Sequence, residues 1–201
     1  MPKISEERKV ERREQILAGA RRAFSEHGYE GATVAKLEQA SGLSRGAIFN
    51  YFPSKEDIFL ELAWRDNERL IRLWLERGWE AALRDIVEED PEWLGVYLEM
   101  TRKIRTDEEF ARKHEERTEA ELAPRLIEHA REQQARGELR DDYPPERVAA
   151  FISLVANGVV LQMGYGERIR DVDALVEFIR TAVEPPRTRG APARTRARRS
   201  A

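Results

Sequence analysis

No cysteine occurs among the 201 residues, which excludes disulfides, thiolate zinc sites and cysteine nucleophiles. Histidine is almost as scarce. His27, His114 and His129 are the whole set, and none lies in an HExxH pattern or four residues from another ligand type on a helix. No glycine-rich phosphate loop is present either. Glu115 and Glu119 stand four apart, but among Lys113 and Arg117 they read as solvated ion pairs. Catalysis needs a nucleophile, a base and an orienting group that converge, and the sequence offers no such set. The expectation is a protein that is not an enzyme and requires no cofactor. Long apolar runs are missing too: residues 148–163 (VAAFISLVANGVVLQM) are free of charge, yet fall short of the roughly 20 residues of a membrane span and have charged flanks. Residues 5–15 (SEERKVERREQ) are mostly charged and do not resemble a secretory leader. A cytoplasmic protein with no membrane partner is expected.

Charge is plentiful. Charged residues make up 36% of the chain, against about 25% in an ordinary globular protein. Apolar side chains recur within this charge at helical spacing, the mark of amphipathic helices with solvated outer faces. The balance is uneven: net +1 over residues 1–65, −10 over 66–184 and +6 over 185–201. Neutralising DNA phosphates needs local positive charge rather than a basic whole chain. Any nucleic-acid role therefore belongs to the first segment or the tail, and the acidic middle must do something else.

Spacing predicts helices over about 8–27, from Thr33 to about 40, from Ser44 to about 52, 55–78, 80–89, 92–106, 107–136, 145–164 and 172–184. Thr33, Ser44 and Ser54 are natural N-caps. Pro53 ends the third helix, and Pro124 must kink or divide the long seventh. No strand-type alternation persists, so the fold class is all-α. Residues 1–54 form an N-terminal three-helix domain, 55–184 a helical domain, and 185–201 (PPRTRGAPARTRARRSA) a tail without large apolar side chains. That composition suits a disordered solubilising tail or a non-specific phosphate binder.

Two short helices separated by Ser41-Gly42-Leu43 outline a helix-turn-helix. The second offers Ser44, Arg45, Gly46, Asn50 and Tyr51 outward. Arg45 can bond guanine O6 and N7 in a major groove, Ser44 and the helix start can meet phosphate, and Gly46 lets the backbones approach. Asn50 and Tyr51 can donate to phosphate or bases, Lys55 can hold a further phosphate, and Thr33 and Lys36 can touch the backbone from the preceding helix. On spacing alone, a helical hairpin with a polar face, or a protein-docking module, remains open.

The run GARRAFSEHGYEGATVAKLEQASGLSRGAIFNYFPSKEDIFLELA, residues 19–63, resembles the N-terminal domain of the TetR family of transcriptional regulators. The glycine after the first helix, Thr33, the Gly42-Leu43-Ser44 turn and the closing YFPSKEDIF carry the resemblance. It implies a homodimer that reads a double-stranded operator, most members acting as repressors, with a larger domain for a small-molecule effector and for dimerisation. Phe49 departs from the tyrosine often found there, which removes one phosphate-bonding hydroxyl. The stretch YLEMTRKIRTDEEFARKH (97–114), with MPKISEERK and RRAFSEHGYEGATV, is similar to actinobacterial aconitase-repressor proteins of that family. This finer likeness implies a citrate-type effector with a divalent metal, in a pocket lined by arginine.

The uncharged helix 148–163 must be covered on nearly all sides. Together with Leu175, Val176, Phe178, Ile179 and Val183 it could build a four-helix interface between two chains, or lie buried in a monomer. An effector pocket is expected between the fourth helix and those at 92–106, 107–136 and 145–164. Its candidate lining is Trp64, Trp74, Trp93, Tyr97, Met100, Phe110, Asn157 and Met163, each of which could equally be plain core. Arg102, Arg105, Arg125, His114 and His129 are candidates to meet an anion, or simply solvated surface.

Overall fold

The computed structural model describes residues 6–88 and 92–185; for residues 92, 93, 95 and 118–120 it describes the backbone alone. The described residues form ten helices and no strand: α1 Glu6–Gly31, α2 Val34–Ser41, α3 Arg45–Phe49, α4 Lys55–Arg77, α5 Trp79–Glu88, α6 Glu92–Thr106, α7 Glu108–Glu121, α8 Ala123–Ala135, α9 Pro145–Gly164 and α10 Val172–Val183. The all-α expectation holds. Helix α1 breaks at Gly28, where the sequence ends it. The segment expected as one helix over 107–136 is two, α7 and α8, with Pro124 in the first turn of α8. Proline is tolerated there because that amide has no partner within the helix. The basic tail expected at 185–201 lies, beyond Pro185, outside the described residues.

Two apolar cores hold the helices. The first gathers Ile16, Leu17, Ala20 and Phe24 of α1, Leu37 of α2, Ile48 of α3, and Ile58, Phe59 and Leu62 of α4. It is closed by Val96 and Met100 of α6 and Phe110 of α7. Phe59 is its hub: the rings of Tyr29, Phe24 and Phe110 lie 4.9, 5.1 and 5.9 Å away, at tilted or edge-on angles that suit aromatic quadrupoles. Packing therefore ignores the sequence division between residues 54 and 55. The first half of α4 and one side of α6 complete the core of the N-terminal head. The second core joins Trp74, Trp79, Leu83 and Ile86 to Leu139, Ile152, Val160, Val176 and Ile179.

Helix α9 is long and apolar enough to cross a membrane by length and composition. Its inner residues Val148, Ala149, Ile152, Val159 and Val160 are buried, and its packing partners are α5, α6 and α8.

Candidate DNA interface and effector cavity

The turn between α2 and α3 is fixed by local and tertiary bonds together. Thr33 Oγ1 accepts the Lys36 amide at 3.4 Å and starts α2. Gly42 ends α2 with φ +68° and ψ 20°, its amide donating to the Glu38 carbonyl at 2.8 Å. This left-handed cap suits a residue without Cβ. Ser44 Oγ then accepts the Ala47 amide at 3.4 Å and opens α3. Helix α1 seats the turn from behind: Gln15 Nε2 donates to the Ser41 carbonyl at 2.8 Å, and an Arg22 guanidinium nitrogen to the Ala40 carbonyl at 2.6 Å. A Cβ at Gly19 would stand 2.6 Å from the Ser41 backbone, so the two helices cross with no room for a methyl group. Sequence reasoning found the turn at Ser41-Gly42-Leu43 and missed Gly19. The available signal was a glycine inside the apolar face of a long helix.

Thr33, Ser44, Arg45, Gly46 and Asn50 are exposed, and Lys36 and Tyr51 are half-buried. A Cβ at Gly46 would meet nothing within 4 Å, so the backbone there is open to a partner. The Arg45 guanidinium lies 5.7 Å from the centre of the Phe49 ring. A residue the sequence did not flag also acts here: Glu38 Oε1 accepts the Arg45 amide at 2.6 Å. The first amide of α3 and the Ser44 oxygen are thus already used in holding the helix start. Lys55 is held within the protein by one of its three N–H donors. Its ammonium donates to the Tyr29 carbonyl at 2.7 Å, lies 4.2 Å from the Tyr29 ring centre, and is pushed below its usual pKa by burial. It ties α4 to the end of α1.

A cavity of about 430 Å³ lies between α4, α5, α6 and α9 and the facing parts of α7 and α8. Trp74, Tyr97, Met100 and Asn157 line it, as the sequence suggested. The Tyr97 hydroxyl donates to Asn157 Oδ1 at 3.2 Å. Asn67, Thr101, His114 and Ser153 add polar atoms, and among the described residues no Asp, Glu, Lys or Arg lines the wall. Trp74 Nε1 and His114 Nε2 are buried without a hydrogen-bond partner. Burial also lowers the His114 pKa, outweighing the nearby Glu115 carboxylate, and so favours the neutral imidazole.

Several expected lining residues stand elsewhere. Phe110 is fully buried in the first core against Phe59. Met163 packs against the second core and does not reach the cavity. Arg105 is exposed at the end of α6, outside the cavity. Trp64 borders a smaller cavity of about 270 Å³, with the Arg117 guanidinium 4.0 Å above its ring. The Trp93 side chain lies outside the described residues. The arginines considered for an anion are engaged at the surface, Arg102 with Glu30 and Glu99 and Arg125 with Glu68.

Residues 16–62 match the family model of bacterial regulatory proteins, tetR family. Over 185 residues the chain is 39% identical to HTH-type transcriptional repressor Rv1474c of Mycobacterium tuberculosis, covering 91% of this chain and 98% of that protein. It is 38% identical over 183 residues to HTH-type transcriptional repressor AcnR of Corynebacterium efficiens, covering 88% and 95%. The chain belongs to the TetR family. Solved structures agree on the fold: Salmonella enterica GusR aligns with a TM-score of 0.74 at 20% identity, over 90% of this chain and 98% of that one. A Saccharomonospora viridis regulator in complex with choline aligns with a TM-score of 0.68 at 21% identity, over 88% and 99%.

In this TetR-family regulator the head and the body are joined by more than the chain. Tyr97, Met100 and Ile104 pack on the core of the head and also line the large cavity. Buried Glu61 of α4 receives Arg13 of α1 at 3.0 Å, Arg65 at 2.9 Å and Arg117 of α7 at 3.2 Å. Lys103 of α6 pairs with Glu56 and Asp107, while Lys113 of α7 shares Glu56. His114 lies on the wall of both cavities.

Proposed function

We propose that this regulator is a homodimeric repressor that binds a palindromic operator and is released when a small molecule enters the large cavity. The observation that carries the reading is α3 itself: a five-residue helix that follows α2, which is seated on α1 through Gly19 and Ser41, with Arg45, Gly46 and Asn50 turned to solvent. Two such helices, one per protomer, would enter successive major grooves about 34–36 Å apart. Relatives that match nearly the whole chain are named as transcriptional repressors, which supports repression as the outcome. Action on DNA by a member of this family supports a cytoplasmic reading.

A stripe on α9 supports the dimer. Phe151, Leu154, Gly158, Leu161 and Tyr165 recur at alternating steps of three and four residues, and all are exposed, Leu154 at 69% and Tyr165 at 71%. Phe178 of α10 is exposed at 74%. Such spacing is the seam of helix-to-helix packing, and contiguous exposed apolar surface calls for a partner. Two copies of α9 and α10 would cover each other as a four-helix bundle.

Release follows if the effector prefers a body conformation whose paired heads no longer match the groove spacing; without that difference in affinity nothing shifts. Tyr97, Met100 and Ile104 give the route, since they touch cavity and head together. Among the described residues no Asp, Glu, Lys or Arg lines this cavity to meet a tricarboxylate or a divalent metal. Among the described residues no three His, Asp or Glu gather as ligands. Genomic pull-down followed by a salt series on the recovered DNA tests the proposal. The expected result is a defined operator whose affinity falls steeply with salt, and an Arg45→Ala variant that stays dimeric but loses about 1–3 kcal/mol of base discrimination. Absence of any sequence preference at low ionic strength would end it, and would favour a protein-docking role for the head.

A further inference from the structure

We infer that Glu38 of α2 is the positioning residue for base reading by α3: its carboxylate fixes the backbone of Arg45, and so the direction from which that guanidinium meets a base. The inference rests on the proposed operator-binding repressor and names what aims its reading side chain. Helix α3 has five residues, Arg45–Phe49, too few to hold a direction by its own hydrogen bonds. Neighbours must aim it. Ile48 anchors one side, fully buried in the core of the head. Ser44 closes the start from within, its Oγ accepting the Ala47 amide at 3.4 Å. The Arg45 amide is taken by Glu38 Oε1 at 2.6 Å, an acceptor seven residues away on the preceding helix.

Glu38 holds both sides of the turn. Its carbonyl accepts the Gly42 amide at 2.8 Å and ends α2, while its carboxylate receives the first amide of α3. A bond from an amide to an ionised acceptor is about twice as strong as a neutral one. Any rotation of α3 that carries the Arg45 amide away must break it. The Arg45 side chain leaves from the same residue, and its guanidinium rests 5.7 Å from the ring centre of Phe49, one turn along. Backbone and side chain are thus both held before DNA arrives. The half-buried carboxylate also carries a cost. It adds negative charge beside the reading helix, where phosphates approach, and phosphate contact supplies nearly all non-specific affinity. Removing the charge should help binding to any DNA, while removing the bond should harm only the reading of bases. The two effects have opposite sign, which separates aiming from plain support of the fold.

The test uses the full-length protein, an operator duplex recovered by genomic pull-down, and a scrambled duplex of the same length and composition, with affinities read by anisotropy. Glu38→Ala is expected to bind operator about fivefold or more weakly, a loss of base discrimination, while its affinity for the scrambled duplex holds or rises. Glu38→Gln, which keeps an acceptor oxygen without the charge, is expected to restore most of the operator preference. The deciding measurement is a double-variant cycle. In an Arg45→Ala background, Glu38→Ala should lower operator affinity by no more than about twofold, because the side chain it aims is gone. Equal losses in the two backgrounds would overturn the inference. So would parallel losses on operator and scrambled DNA, the mark of a loosened head. If Glu38→Ala fails to fold, Glu38→Asp gives the comparison with the charge kept: one methylene too short to reach the amide, it should lose operator affinity and leave the scrambled duplex unchanged. Wild-type protein without preference for the recovered duplex would end the repressor proposal. Preference in the wild type that Glu38→Ala retains in full would end the positioning role alone.

Discussion

At the scale of single residues, two glycines of the head have opposite duties. Gly19 is a spacer between backbones, because a methyl group there would stand 2.6 Å from Ser41. Gly46 is open, with nothing near it. Gly19→Ala is therefore expected to destabilise the head by about 1–3 kcal/mol through forced separation of α1 and α2, seen as a lowered Tm. Gly46→Ala should raise the Tm slightly, since alanine is favoured over glycine within a helix by about 1 kcal/mol, while weakening operator affinity in an anisotropy titration. A Gly46→Ala protein that binds operator as well as wild type would remove the close-approach role. Only part of this was legible in the sequence. Thr33, Gly42 and Ser44 announce themselves because caps and left-handed turns are local chemistry. The Gly19–Ser41 crossing, the Glu38 bond to the Arg45 amide and the inward turn of Lys55 depend on which helix lies behind, which periodicity does not specify.

At the scale of elements, the joint between head and body is electrostatic as well as apolar. Burial pushes the Glu61 carboxyl up, but hydrogen bonds from Arg13, Arg65 and Arg117 outweigh burial and hold it below its ordinary value of 4.5. A carboxyl with a depressed folded pKa adds stability that is present in full above the unfolded value and is lost as pH falls through the folded one. The melting temperature should therefore drop as pH falls below about 4.5, and Glu61→Gln should flatten that part of the profile. An acid limb of unchanged steepness in Glu61→Gln would show that these bonds contribute nothing to folding. The helices themselves were legible from sequence, including the division at Pro124. The cavity was less so. Trp74, Tyr97, Met100 and Asn157 line it, while Phe110 and Met163 are packed away. Hydrophobic spacing tells which side of a helix turns inward, but filled and empty interior look alike at that level.

At the scale of the whole molecule, the outer stripe of α9 and Phe178 of α10 are predicted to hold two chains together. Leu154→Glu combined with Phe178→Glu should yield monomers in sedimentation while the far-ultraviolet helical signal is retained, because both side chains are largely exposed in the single chain. Operator affinity should fall by about a hundredfold or more, since one head then binds without the help of the other. A double variant that remains dimeric would move the interface elsewhere.

The shared packing of Tyr97, Met100 and Ile104 limits how such regulators can be recombined. A hybrid that grafts residues 1–54 onto a foreign effector domain inherits a seam through the middle of the Phe59 aromatic cluster. Exchange of specificity between relatives should succeed only when the first turns of α4 and the inner side of α6 travel with the reading head.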